Sequence, residues 1–334
     1  FGTSPHQIFD NWNSSALYAA SIGQVHQAQK DGQKLAVKIQ YPGVANSISS
    51  DLSLVKPVAL RVLNLKAKDS EIYFKEVEEK LLEETDYDLE LKQSQEMSDA
   101  CKQIPNLLFP KYYPEYSSDR IITMDWMDGQ HLSEFVSQNK TVNDGGIATI
   151  KDQKLANKIG QTLWDFYMHQ MHTLKKVHAD PHPGNFLVSQ DAELIALDFG
   201  CLKVIPDDFY RPYFELASSE NIQKDEIFQK NMRQLEMIKE TDSMEAKQYL
   251  EQMFYELLET FTAPFNVEVF DFSSKEFFQK IAGMAEKYNK DPQFRKLDGN
   301  RGSRHFIYMN RTFFGLYNLL HSLGSNEVQI AKYF

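Results

Sequence analysis

Apolar and polar residues alternate along Gln24–Ala28 and again along Lys34–Ile39, with Lys30-Asp31-Gly32-Gln33 between them. Period-2 alternation on both sides of an Asp-Gly pair predicts a β-hairpin with a tight turn. Downstream the period changes. From Glu71 to Glu90, Phe74, Val77 and Leu81 fall at helical spacing among nine acidic residues and two lysines. That predicts one acidic helix with most of its charges in water. Arg120–Met127 reads as a strand, ended by Asp128-Gly129. Lys151–Leu174 places Leu155, Ile159, Leu163, Phe166 and Met171 on one face and predicts a long helix. Two prolines and a glycine within His178–Asn185 force an irregular loop. Short strands at Phe186–Val188 and Leu194–Leu197 follow, then Asp198-Phe199-Gly200, and from Asp207 onward the pattern is mainly helical. This order predicts an α+β fold with two lobes. A small β-rich N-lobe with a helical insertion would span residues 1–128. A larger, mostly helical C-lobe over 129–334 would carry the catalytic and metal-binding loops.

Composition narrows the classes. The 334 residues are 42% hydrophobic and 25% charged, the balance of a folded globular chain with a sizeable core. A net charge of -11 argues against nucleic acid as a partner. Cys101 and Cys201 alone build neither a disulfide framework nor a CxxC metal site, which points to a reducing compartment. No run reaches the roughly 18 apolar residues of a membrane span. The most apolar stretch, Leu52–Leu65, is interrupted by Lys56, Pro57 and Arg61. The chain begins at Phe1 without a leader-like segment, as expected of a piece of a longer protein from which any targeting signal would have been cut away.

The candidate chemistry is phosphoryl transfer. That reaction needs a cation on the nucleotide phosphates, oxygen ligands for a metal, and a carboxylate near the nucleophile. Protein kinases supply these from a strand lysine, a loop Asp five residues before an Asn, and an Asp-Phe-Gly after a short hairpin. Here Lys38 lies in Ala36-Val37-Lys38-Ile39, Asn185 follows Asp180 by five positions, and Asp198 opens Asp198-Phe199-Gly200. Each fragment alone is weak; their order, each on a suitable element, is specific.

Four segments together resemble the UbiB (AarF-domain) family of atypical protein-kinase-like proteins. They are Ala19-Ala20-Ser21-Ile22-Gly23-Gln24-Val25-His26, Val37–Val44, His178–Asn185 and Asp198-Phe199-Gly200. The resemblance is close over residues 1–206 and looser to Asn310-Arg311-Thr312-Phe313-Phe314-Gly315-Leu316. It implies a kinase-like ATPase or small-molecule kinase that uses ATP or ADP with Mg2+ and supports isoprenoid quinone biosynthesis. By the same resemblance, Lys38 would meet the α/β phosphates and pair with Glu90. Glu84 and Asp86 would be the family's further acidic pair, and Asp180 the catalytic-loop carboxylate. Asn185 and Asp198 would hold magnesium. Ala19, Ala20, Ser21, Ile22, Gly23 and Val25 would cover the nucleotide. Met124, Asp125, Trp126 and Met127 would line the adenine pocket through their backbone. Implied partners are a nucleotide, an isoprenoid lipid or quinone precursor, a membrane surface met peripherally, and quinone-biosynthesis proteins. The location would be the cytoplasm or an organelle interior, mitochondrion or plastid in a eukaryote. A nucleotide-gated assembly protein without turnover, and a soluble small-molecule phosphotransferase, are the competing functions.

Several positions depart from protein kinases. The phosphate loop has one glycine, and Tyr18 stands where the family commonly has Ala. Fifty-two positions separate Lys38 from Glu90, so a helical piece near Asp51–Asn64 must be inserted. Ala179 replaces the Arg that couples a phosphorylated activation loop, and no Ala-Pro-Glu follows Asp198. Both predict poor activity on peptides. On a single helix, Asp86 and Glu90 would share a face, where two carboxylates call for a nearby cation. Lys158-Ile159-Gly160-Gln161 matches the family's Lys-x-Gly-Gln signature but lies in a predicted helix, where Gly160 reads as a packing position. His169 and His172 lack the partners of a zinc site, and His178 reads as an order-giving residue of its loop. Phe313, Leu316, Leu319 and Leu320 read as core.

Overall fold

The computed structural model describes residues 1–20, 22–62, 67–142, 148–223, 225–294, 297 and 301–333. The chain divides into two compact units, Phe1–Leu132 with Pro183–Leu202, and Ser133–His182 with Lys203–Phe334.

The first unit is built on an antiparallel sheet. Its strands are β1 (Asn11–Trp12), β2 (Tyr18–Ala19), β3 (Gly23–Lys30), β4 (Gln33–Gln40) and β6 (Ile121–Asp125), in the order β1-β3-β4-β6 with β2 also on β3. Asp31 and Gly32 both take positive φ, 49° and 80°, the turn whose twist matches that of two paired strands. The register sets Val25 against Lys38 and Lys38 against Ile122. Alternation then separates two faces. Leu35 and Val37 pack with Phe9, Ala28 and Tyr113 on one. Ala36, Ile122 and Met124 pack with Tyr87, Leu91 and Tyr112 on the other. Lys38 belongs to the Ala36 face and is therefore drawn inside.

The insertion between β4 and β6 is helical: α1 (Val44–Val62), α2 (Ala67–Glu84) and α3 (Tyr87–Cys101). The single acidic helix expected over Glu71–Glu90 is instead two. The chain leaves the helix at Thr85, and the Asp86 carboxylate accepts the Leu89 N–H at 2.9 Å as the N-cap of α3. Capping satisfies an orphan donor that a continuous helix would not offer. Asp86 is hence the cap of the helix that carries Glu90, and its carbonyl accepts the Glu90 N–H at 3.0 Å. Val77, expected on an apolar stripe, is exposed.

A four-stranded sheet completes this unit: β5 (Leu107–Leu108), β9 (Leu194–Ala196), β8 (Phe186–Val188) and β7 (Gln130–His131), in that order. The hairpin pairs Phe186 with Ala196. The sequence places the divide near Asp128 and the metal-binding loop after it. In the structure the first stretch runs to Leu132 and Pro183–Leu202 joins it, because β8 and β9 pair with strands from the earlier part of the chain.

The second unit is mainly helical. α4 (Gln153–Met168) continues as one π-helical segment, His169–Leu174, within the span predicted as a long helix. Ile159, Leu163, Phe166 and Met171 are buried as the periodicity requires. α5 (Asp207–Glu215), α6 (Asp225–Gln234), α7 (Met244–Phe261), α8 (Lys275–Lys290) and α9 (Arg304–Leu323) follow. α9 packs on α4, and Phe313, Leu316, Leu319 and Leu320 are buried. A Cβ at Gly160 would collide with the Ser325 side chain, so Gly160 is a close-packing position. Among the described residues no helix is long and apolar enough to cross a membrane.

Candidate nucleotide and phosphoryl-transfer site

Lys38 meets two carboxylates inside the first unit. Its Nζ donates to Glu90 Oε1 at 2.6 Å and to Asp198 Oδ2 at 3.2 Å. The Lys38 and Glu90 side chains are only 10% and 6% exposed, whereas that of Asp198 is 36% exposed. The pair is thus sealed at one end and open at the other. Burial alone would drive the Lys38 ammonium down, but Asp198 and Glu90 override it and hold it well above the ordinary lysine value. Burial pushes the Glu90 carboxyl up to about 7, against the pull of Lys38 and with Asp198 adding to the push. The two carboxylates thus favour the charged form of Lys38, while burial works against the charged form of Glu90. Tyr87 lies beneath, fully buried, with its ring centre 5.0 Å from Lys38 Nζ.

Local structure explains the meeting. Gln40 is two residues beyond Lys38, on the same face, and its Nε2 donates to the Thr85 carbonyl at 2.9 Å. That bond ties the start of α3 to β4, and one turn later Glu90 reaches Lys38. The sequence reading gave Gln40 no role, although its i+2 spacing from Lys38 was a usable signal. Asp198 is fixed by the Gly200 N–H on its Oδ1 at 2.9 Å. Tyr112 Oη donates to the Leu197 carbonyl, and the Leu197 N–H donates to the Asn185 carbonyl at 3.0 Å. Asn185 and Asp198 are so held on one hairpin. Glu84 ends α2 and is near enough to raise the pKa values of Tyr87 and Glu90. Asp86 is committed to its capping bond.

The loop before β3 is compact. The Ala20 N–H donates to the Gly23 carbonyl, and Tyr41 N–H to the Ile22 carbonyl. Ser21 lies outside the described residues. None of the described residues from Leu17 to Gly23 has positive φ. Gly23 answers to space rather than torsion, since a Cβ there would overlap the Ile39 carbonyl. Ala19 is exposed, and Ala20, Ile22 and Val25 are half-buried. Tyr18 stacks on Trp126 at 6.1 Å and meets His131 edge-on at 5.2 Å.

At the end of β6, Met124 is buried. Asp125 accepts from Tyr113 Oη, Gln33 Nε2 and the Lys111 N–H, so its carboxylate is spent on structure. The N–H groups of Asp125 and Trp126 donate to Lys111 and Lys34 carbonyls. Of the four-residue segment expected to serve a base through its backbone, Met127 alone offers an N–H without such a bond among the described residues.

Asp180 lies in the second unit, where its carbonyl accepts the His182 N–H at 2.8 Å and its Oδ1 accepts from Arg311 at 2.6 Å. His178, two residues earlier, is buried, and its N–H donates to Gln170 Oε1. Asp198 and Asn185 present hard oxygen donors, a carboxylate and an amide carbonyl, which suit Mg2+. Among the described residues no group of three or more His, Cys, Asp or Glu could hold a metal. Such an ion would complete its shell with phosphate oxygens and water.

A strand lysine paired to a helix glutamate, with an Asp-Phe-Gly aspartate beside it, defines the kinase-like class. The chain belongs to the ABC1 atypical kinase-like domain family, whose sequence model matches residues 1–233. It is 31% identical over 222 residues to the AarF domain-containing kinase 1 of Drosophila melanogaster, covering 64% of this chain and 40% of that protein. It is 32% identical over 213 residues to the mitochondrial atypical kinase COQ8 of Saccharomyces cerevisiae, covering 63% and 40%. The matched stretch thus spans about two fifths of the length of these relatives. The fold resembles the complex structure of Rv3197-erythromycin from Mycobacterium tuberculosis, with a TM-score of 0.73 at 22% identity over 99% of this chain and 78% of that one.

Proposed function

We propose that the chain binds Mg–ATP and turns it over, as an ATPase or a kinase for a small or lipid-like acceptor, in support of isoprenoid quinone biosynthesis. The observation that carries this reading is Lys38 between Glu90 and Asp198. In this reading Lys38 steadies the α/β phosphates, Glu90 orients Lys38, and Asp198 with Asn185 holds magnesium. Met127 N–H serves the base, and the segment from Ala19 to Val25 covers the phosphates. Asp180 is the carboxylate that faces the attacking hydroxyl or water. Bound magnesium supplies charge neutralisation on the phosphates. Mitochondrial and chloroplastic relatives support an organellar setting. In this reading a lipid-borne acceptor is met peripherally, at the membrane surface.

The test is Mg–ATP turnover with and without liposomes and a phenolic mimic of a quinone headgroup, with casein as a peptide-type control. The expected result is turnover that rises with lipid or phenol, is lost in Asp198→Asn, and leaves casein unlabelled. Turnover indifferent to both additives would favour a soluble-substrate phosphotransferase. Nucleotide binding without turnover would favour a nucleotide-gated assembly protein.

A further inference from the structure

Tyr87 opens α3, three residues before Glu90, and is wholly buried in the first unit. Its ring centre is 5.0 Å from Lys38 Nζ, so the ammonium that bonds Glu90 and Asp198 also rests against an aromatic face. The hydroxyl at the end of that ring is unexplained by the fold. Tyr87 Oη is sealed from water and has no hydrogen-bond partner among the described residues. A buried hydroxyl left unpaired costs folding free energy that a phenylalanine at the same place would not. Such a group in a folded protein calls for a partner that arrives from outside.

The hydroxyl lies where the phosphate loop joins the sheet. Gly23 is the first residue of β3, and the register sets it against Gln40, two residues beyond Lys38. Gly23, Gln40 and Lys38 therefore share one face of the sheet. A Cβ at Gly23 would stand 3.1 Å from Tyr87 Oη, so the absent side chain is what leaves the hydroxyl its room under the loop. The loop itself is short of donors. None of its described residues has the positive φ from which a nest of backbone N–H groups is made. The Ala20 N–H is already given to the Gly23 carbonyl. The strand that leads into the loop, β2, is two residues long and pairs with β3 through Tyr18 and Ala19 alone, so raising the loop breaks little.

Resting on the nucleotide-binding reading above, we propose that the Tyr87 hydroxyl is a phosphate ligand of this site, a side-chain donor in place of the backbone donors that the loop lacks. The loop rises to admit the phosphates, and the O–H donates to a phosphate oxygen beside the one that Lys38 meets. A hydroxyl donating to a charged oxygen makes one of the stronger protein hydrogen bonds. Burial pushes the Tyr87 hydroxyl up to about 12, so it keeps the proton it would donate. The ligand it serves is a magnesium-bound nucleoside di- or triphosphate.

The experiment uses the whole chain with Tyr87→Phe, which keeps the ring beside Lys38 and removes only the hydroxyl, and with Tyr87→Leu, which removes both. Calorimetry measures affinity for Mg–ADP and Mg–ATP, urea titration measures the chain without nucleotide, and phosphorus NMR records Mg–ADP bound at saturation. Tyr87→Phe should unfold at a urea midpoint no lower than the parent's, because an unpaired buried donor is gone. Its affinity for both nucleotides should fall about tenfold, and the resonances of its bound ADP should be displaced from those in the parent. Tyr87→Leu should bind no more tightly than Tyr87→Phe and unfold at a lower midpoint, since it leaves a cavity. Weaker binding without weaker folding in Tyr87→Phe is what a purely structural tyrosine would not give. Unchanged affinity in Tyr87→Phe would overturn the inference and leave the nucleotide-binding reading standing. A lowered urea midpoint in Tyr87→Phe, or ADP resonances at the parent's positions, would also overturn it. A parent chain that binds neither Mg–ADP nor Mg–ATP overturns both.

Discussion

Lys38 Nζ and Glu90 Oε1 lie 2.6 Å apart across 52 positions of sequence, in a place that water barely reaches. A pair of this kind is costly to break from one side, because the survivor keeps its desolvation without its partner. Lys38→Met should therefore lower the unfolding free energy by about 3 kcal/mol near pH 8. The loss should shrink on acidification. The Glu90 carboxyl already sits at about 7 in the fold, above its ordinary 4.5, and loses the pull of Lys38 in the variant. A carboxyl raised on folding favours the folded state at low pH, and that contribution fades as pH rises from 4.5 through the folded value. Urea titrations at pH 5.5 and pH 8 check this; an equal loss at both would contradict it.

Asp198 is the open end of the same cluster, and its Oδ1 is already held by Gly200. Asp198→Asn keeps the shape and removes the charge. Nucleotide affinity measured with magnesium should drop at least tenfold and become insensitive to EDTA. Calorimetry that finds the variant as magnesium-dependent as the parent chain would remove Asp198 from the metal site.

Tyr18, exposed at the end of β2, stacks on Trp126. Base–aromatic stacking is worth about 1–3 kcal/mol, so Tyr18→Ala should weaken ATP binding by roughly fivefold with little change in melting temperature. The emission of Trp126 should respond to nucleotide in the parent chain, and Trp126→Phe identifies its share. Equal affinity in Tyr18→Ala would place the ring outside the nucleotide's reach.

In the second unit His172 is packed against Phe214 at 4.5 Å, and its Nδ1 is 2.7 Å from Tyr210 Oη. Burial, with Lys175 adding to it, lowers its pKa from 6.5 to about 4. A histidine lowered on folding stabilises the fold above pH 6.5, and that contribution is lost as pH falls toward 4. The loss should be on the order of 3 kcal/mol. His172→Gln should flatten the slope of unfolding free energy between pH 6.5 and 4. A parallel slope in the variant would assign the acid sensitivity to other groups.

Gly160→Ala should destabilise by about 1–3 kcal/mol, the cost of overpacking a well-filled site, because its Cβ meets Ser325. Gly160→Ala/Ser325→Gly should recover part of that loss in thermal melts. No recovery would mean that the clash relaxes elsewhere.

What could be read along the chain is what local chemistry encodes. The Asp31-Gly32 turn, the alternation that puts Lys38 with Ala36, the helical period ending in Met171 and the buried Phe313 and Leu316 all follow from neighbours within a few residues. The partnership of Lys38 with Glu90 was legible through family resemblance, and the alternation then explains why it faces inward. Other features depend on packing between segments far apart in sequence, where the cost of closing a long loop is repaid only by tertiary contacts. The break at Thr85–Asp86 needs Gln40, 45 positions away, to hold the Thr85 carbonyl. Pro183–Leu202 joins the first unit because its hairpin finds strands at Leu107 and His131. Arg311 reaches Asp180 across 131 positions because Gly315 lets α9 settle on Pro181. Periodicity tells a residue which face of its own element it occupies; which residue waits on the other side depends on how the elements pack.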